Sequence, residues 1–182
     1  MERSDFGKGE DHVAVRRCLN IEDIMHFKTE WRIEKYHSKS LAEAMAIGEK
    51  PYEVIDFEGN LLLNEGIQAF EDLLAGLATP TKWDNTNARL GVGDSSVAES
   101  ASQTGLQGAN QVFKGMLTSY PSRSGQKVSW KSEFTETEGN FAWNEFTADN
   151  GATENKNLNR KVQASGTKSG GTWTLTLGIT IS

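Results

Sequence analysis

Thr172-Trp-Thr-Leu-Thr-Leu-Gly-Ile-Thr-Ile181 is the stretch that decides the fold. Trp173, Leu175, Leu177, Ile179 and Ile181 fall on one side of an extended chain, and Thr172, Thr174, Thr176, Gly178 and Thr180 fall on the other. Successive strand side chains point to opposite faces, and β-branched residues suit a pleated surface. The alternation therefore predicts a long strand, central in its sheet, with a covered apolar face and a polar outer one. Lys168-Ser169-Gly170-Gly171 supplies the turn that leads into it.

Working back along the chain, Arg160, Val162 and Ala164 alternate with Lys161 and Gln163, after a loop at Asp149-Asn150-Gly151. Val128, Trp130, Ser132 and Phe134 share one face of a further strand, and Lys127, Ser129, Lys131 and Glu133 share the other. With a turn at Glu138-Gly139-Asn140, residues 127–146 are expected to form a hairpin. Residues 112–117 and 88–92 read as strands, joined by a loop at 95–111 of small polar residues with little to bury. Upstream, Trp31, Ile33 and Lys35 alternate with Arg32, Glu34 and Tyr36, which suits a short strand at a sheet edge. Ser40 as N-cap with Glu43 three residues on predicts two helical turns. Residues 52–57 read as a strand closed by Glu58-Gly59-Asn60.

One longer helix is expected over 65–77, with Asn64 as its N-cap. Ile67, Phe70, Leu74 and Leu77 make a single apolar stripe, which must be buried, most economically against a sheet. Gly76 and Pro80 end it. The fold expected is mainly β, an antiparallel β-sandwich-like domain with one packed amphipathic α-helix. Residues 1–50 are expected to form an N-terminal arm and extension, and residues 51–182 a β-rich core domain.

The chain has 182 residues, enough for one hydrophobic core. Its 19 basic and 25 acidic residues give a net charge of −6. The longest basic clusters are pairs, Arg16-Arg17 and Arg160-Lys161, so a nucleic-acid binder dependent on phosphate neutralisation is not expected. Cys18 is the sole cysteine, which excludes an internal disulfide. No stretch approaches 18 consecutive apolar residues, so no membrane helix is expected. Residues 1–10 lack the apolar core of a signal peptide, so synthesis in the cytoplasm is expected.

Candidate chemistry is sparse. His12, His26 and His37 lie within the first 37 residues, with no HxH, HExxH or CxxC spacing to make a metal site. Gly91-Val-Gly-Asp-Ser-Ser96 resembles both a GxG dinucleotide loop and the Gly-Asp-Ser block of lipases and esterases. It lacks the third glycine of the first, and for the second no histidine follows His37 to act as base for Ser95. Gly91 and Gly93 are expected to bend a strand end into a turn in which Asp94 and Ser95 hydrogen-bond their own backbone. Glu133, Glu136, Glu138 and Glu145 are numerous enough to flank a cation or a sugar. Without EF-hand spacing they are expected to be solvated turn carboxylates. Of the five tryptophans, Trp130 and Trp173 are in phase with strand apolar faces and belong to a core. Trp143, Trp83 and Trp31 remain open to other roles, Trp83 and Trp31 as interface anchors. No catalytic, cofactor-binding or metal-binding residue is assigned, and no cofactor is expected.

Asn60-Leu-Leu-Leu-Asn-Glu-Gly66 before an amphipathic helix ending in Leu74-Ala-Gly-Leu77 resembles small structural proteins of tailed bacteriophages. So do Asn87-Ala-Arg-Leu-Gly-Val-Gly-Asp-Ser-Ser96, Gly105-Leu-Gln-Gly-Ala109, Phe141-Ala-Trp-Asn-Glu-Phe146 and residues 166–177. The match spans roughly residues 52–182. The same order is similar to virion-proximal modules of tail-fibre and collar proteins. The resemblance implies a non-enzymatic virion protein that decorates or stabilises the capsid, or alternatively a tail, collar or tail-fibre attachment protein. A carbohydrate-binding host-recognition module is a further alternative. The partners implied are copies of the chain itself and other virion proteins, with neither nucleic acid nor membrane bound directly.

Overall fold

In a computed structural model, residues 26–182 are described. Among the described residues, ten strands form two antiparallel sheets of five, accompanied by two helices. The first sheet has the order β2-β1-β10-β7-β6, from β1 (Phe27–Tyr36), β2 (Glu53–Glu58), β6 (Ser122–Ser124), β7 (Lys127–Phe134) and β10 (Thr172–Ile181). The second has the order β3-β9-β8-β4-β5, from β3 (Leu61–Leu62), β4 (Arg89–Gly93), β5 (Gln111–Gly115), β8 (Glu145–Asp149) and β9 (Asn157–Val162). The mainly β, sandwich-like fold read from the alternation is the fold observed.

β10 is central, as its pattern required. It pairs with β1 along all ten residues, from Phe27↔Ile181 to Tyr36↔Thr172, and with β7 from Trp173↔Phe134 to Thr180↔Lys127. Leu175 and Leu177 are fully buried, and so are Trp31, Ile33 and Phe134 beside them. Leu90, Val92, Phe146 and Ala148 of the second sheet meet these residues in one core. Aromatic rings cross the interface: Phe146 lies 5.9 Å from Trp31 and 5.2 Å from Phe57, and Trp143 meets Trp173 edge-on at 4.8 Å. Edge-to-face contacts of this kind satisfy the ring quadrupoles as well as burying area.

The outer face of the first sheet carries charge instead. Lys127 crosses β10 to reach Glu30, Lys131 reaches Glu34 at 2.6 Å, and Arg32 grips Asp56 at 2.7 and 2.9 Å. Gly178 leaves room for the far end of the Lys127 side chain, which lies over it. Hydrogen bonds from Lys127 and Lys28 hold the Glu30 carboxyl down at about 2.

Four expectations are corrected. β1 is no edge strand: it lies between β2 and β10, so residues 27–36 of the expected extension belong to the body of the first sheet. Residues 127–146 are not a hairpin, because β7 lies in the first sheet and β8 in the second. Between them the chain crosses the sandwich, and Trp143, fully buried, takes the middle of the core with its Nε1 donating to Gly139 O at 2.9 Å.

The longer helix, α2 (Asn64–Ala75), has Leu63 rather than Asn64 at its cap position, with no side-chain cap. The chain enters it directly from β3, which pairs with β9, and that pairing sets where the first turn begins. Gly76 ends it in the left-handed conformation, leaving Leu77 outside. The shorter helix α1 (Leu41–Ala46) is capped as expected, Ser40 accepting from Glu43 N.

The apolar stripe of α2 is the fourth correction. Gly66 and Ala69 are its buried residues, while Leu74 and Leu77 are 78% and 80% exposed. Gly66 decides this. A Cβ there would stand 2.5 Å from the Asn157 carbonyl oxygen and the Leu158 Cα, so the helix docks on β9 through its smallest residue. Gly66→Ala should therefore destabilise the fold by about 1–3 kcal/mol in urea unfolding. Helix propensity alone would give about 0.5–1 kcal/mol of stabilisation for the same change, so the sign of the effect tests the docking.

Candidate functional site

The richest polar cluster lies on the outer face of the second sheet, beneath the 95–111 loop. The pairings Gly93↔Glu145 and Glu145↔Val162, with Gly91↔Thr147 and Thr147↔Arg160, place these side chains on one face. Glu145 and Arg160 are both fully buried. Arg160 Nε donates to Glu145 Oε2 at 2.8 Å, and Nη2 lies 2.7 Å from the same oxygen. Arg160 Nη1 donates to Val97 O and to Gln103 Oε1, both at 2.9 Å. The carboxylate also accepts from the backbone N–H groups of Gln107 at 2.9 Å and Gly108 at 2.6 Å. Its two oxygens and the guanidinium together tie the loop to β8 and β9.

Glycine is required around this carboxylate. A side chain on Gly93 would overlap Glu145 Oε1, and one on Gly108 would overlap Asp94. At Gly91 a Cβ would stand 2.5 Å from the Phe113 ring. The Gly91–Asp94 block is thus shaped by its neighbours' side chains. Asp94 accepts from Asn110 N at 3.1 Å and Nδ2 at 2.6 Å, and these hydrogen bonds keep its carboxyl below the usual range. Ser95 Oγ accepts from Val97 N at 3.1 Å. Both side chains are turned into the loop, but Gly91 and Gly93 do not bend a strand end into a turn as expected: they lie within β4, paired with β5 on one side and β8 on the other.

The remaining candidates separate. His37 stacks on Tyr52 at 4.3 Å, and His26 exchanges backbone hydrogen bonds with Ser182. His12 lies outside the described residues. Glu133 accepts from Leu41 N at 2.6 Å at the start of α1. Burial would raise the Glu138 carboxyl, but hydrogen bonds from Lys114 and Thr135 outweigh it and hold the group low. Glu145 overturns the expectation of four solvated turn carboxylates, because the chain crossing takes it into the second sheet. Among the described residues no group of three His, Cys, Asp or Glu could hold a metal ion. Trp143 and Trp31 are buried, Trp130 donates from Nε1 to Trp83 O at 3.0 Å, and Trp83 is half-buried.

Two further buried cations were not recognised from the sequence. Lys35 Nζ lies 4.1 Å over the Trp173 ring and donates to Ser165 O at 3.0 Å and Glu53 Oε2 at 2.9 Å. Its alternation with Trp31 and Ile33 was the available signal. Lys168 donates to Thr135 O at 2.7 Å and Asn140 Oδ1 at 3.1 Å, holding the turn that sends the chain across the sandwich. Burial pushes its ammonium down to about 8, against the pull of Glu138 and Glu136.

Two of the concavities on the surface lie beside these elements. One, of about 520 Å³, lies on the charged outer face of the first sheet among Glu30, Arg32, Asp56 and Lys127, whose charges are paired with one another. The other, of about 530 Å³, is apolar and runs between α2 and the β7–β10 end of the first sheet.

Two outcomes test these polar ties. Removing Arg160 alone leaves a buried carboxylate without its cation, so Arg160→Met should cost about 3–5 kcal/mol in urea unfolding. Arg160→Met combined with Glu145→Gln should cost less than the two single changes summed, by at least about 1 kcal/mol in a double-mutant cycle. For Lys168, the folded value of about 8 lies below the ordinary 10.5. Between those values the unfolded chain binds more protons, so this group makes stability rise with pH from about 8 to about 10.5. Lys168→Met should remove that rise, seen as a wild-type-minus-variant difference in urea midpoint that grows across the same window.

No family model, curated protein or solved structure matches the chain.

Proposed function

We propose that the chain is a non-enzymatic structural component of a tailed-bacteriophage virion, one that decorates or stabilises the capsid through repeated protein–protein contacts. The observation that carries this reading is the placing of exposed apolar side chains at opposite ends of β1. Met45 and Ile47 of the α1 region, each 71% exposed, and Tyr52 at 50% lie towards the Tyr36 end. Leu74, 78% exposed, lies with Ile67 and Phe70 along the groove at the Phe27 end. A ten-residue strand separates the two by roughly 30 Å. Two distinct apolar patches on one small body suit a part with different neighbours on either side, as in a symmetric array.

The motif resemblance supports the same reading. So does the use of the polar clusters, since Glu145, Arg160, Asp94 and Ser95 spend their hydrogen bonds inside the fold. Glycan recognition would draw on exposed aromatic platforms, whereas Trp31, Trp143 and Trp173 are buried.

Purified particles carrying the protein should contain it at a fixed copy number that survives washing in high salt. Quantitative mass spectrometry measures this, and a cryo-EM map of the particle locates the copies on capsid, neck or tail. Particles lacking the chain would overturn the proposal.

A further inference from the structure

Asn150-Gly151 is the chain's one Asn-Gly step, and the chain has no Asp-Gly. Glycine offers an asparagine side chain the least hindered backbone nitrogen, so an extended chain loses its side-chain amide most readily at such a pair. The fold nevertheless requires both members. Gly151 has φ +110°, which favours glycine, and a Cβ there would stand 3.0 Å from the Asn87 carbonyl oxygen. Asn150 is fully buried. Its Nδ2 donates to Thr81 O at 3.0 Å and to Glu154 Oε2 at 2.9 Å, and its Oδ1 accepts from Lys156 N at 2.8 Å. Thr81 N donates to Glu154 Oε1 at 2.9 Å, so the three residues close one knot between the 150–156 loop and the segment before β4. Gly151 N donates to Asp149 Oδ1 at 3.1 Å.

We propose that Asn150 is a deamidation site gated by the 150–156 loop, reactive while the loop is open and protected while it is closed. In the open loop Gly151 N bonds to Asn150 Cγ and the Cγ–Nδ2 bond breaks. Nδ2 leaves as ammonia, taking the proton that Gly151 N gives up. Water then opens the succinimide at either carbonyl, leaving aspartate or isoaspartate at position 150. In the closed loop both Nδ2 hydrogens are engaged, and turning the amide towards Gly151 N breaks three buried hydrogen bonds at once. The product does not fit back into the knot. An aspartate oxygen in place of Nδ2 faces the Thr81 carbonyl and the Glu154 carboxylate with no hydrogen for either. Residue 150 thus records, in one direction only, the time the loop has spent open.

The full-length protein, kept in mildly alkaline buffer with and without unfolding urea, provides the test. Peptide mapping by mass spectrometry follows amide-to-acid conversion at each asparagine. Asn150 should convert first in urea, and at least about tenfold more slowly in the folded protein, where the open population sets the rate. Glu154→Ala removes a partner of both Asn150 and Thr81. It should speed conversion in the folded protein several-fold and leave the rate in urea unchanged. Ile33→Val loosens the core of the first sheet and should leave the folded rate at its wild-type value. Equal rates with and without urea would overturn the proposal, and so would a folded rate that Glu154→Ala leaves unchanged. Equal acceleration by Glu154→Ala and Ile33→Val would make global unfolding the gate and overturn it too.

Discussion

A carboxylate and a guanidinium with no access to water organise the second sheet. Leaving either charge buried alone costs several kcal/mol, so each must be surrounded by partners of the right kind. Glu145 and Arg160 meet that demand by drawing in the backbone of Gln107 and Gly108 and the oxygens of Val97 and Gln103. The 95–111 loop is thus held down by charge rather than by hydrophobic burial, with Leu106 as its buried apolar residue. The glycines at 91, 93 and 108 follow from the same constraint, because side chains there would collide with Phe113, Glu145 or Asp94.

The first sheet is built on the opposite principle. Its inner face is aromatic and aliphatic, and its outer face is a lattice of cross-strand ion pairs that lie half in solvent. Exposed pairs of that sort contribute little each, so the sheet's stability rests on the core that Trp31, Phe134, Leu175 and Leu177 share with Phe146 and Trp143. Lys35 joins the two regimes, its stem among core residues and its ammonium over Trp173.

Period-two alternation made β10, β7 and β1 legible in the sequence, because each has one face in the core and one outside it. β8 escaped that pattern: all five of its residues are buried, one face by the other sheet and one by the loop. With no exposed face there was nothing to mark it off from the strand before, and a hairpin was the natural misreading. The apolar stripe of α2 was correctly seen and wrongly buried, since the contact with β9 runs through Gly66 and Ala69, residues too small to register as a hydrophobic signal. The Glu145–Arg160 pair lay fifteen residues apart in stretches that look polar. Its burial depends on a loop contributed from fifty residues away, which no local pattern encodes. In Gly91 to Ser96, the motif that most resembled an active site, the glycines were misread as a turn: they lie within β4, where close packing against Phe113 and Glu145, not a bend, calls for glycine.

The pairing of β1 with β10 has a mechanical consequence. The two strands are antiparallel neighbours, and their outer ends, His26 and Ser182, sit side by side. A force pulling those two points apart acts along the interstrand hydrogen bonds, which lie perpendicular to the strands. The ladder would then open one rung at a time instead of resisting in shear with all its rungs together. Under tension between these two points the fold is a zipper.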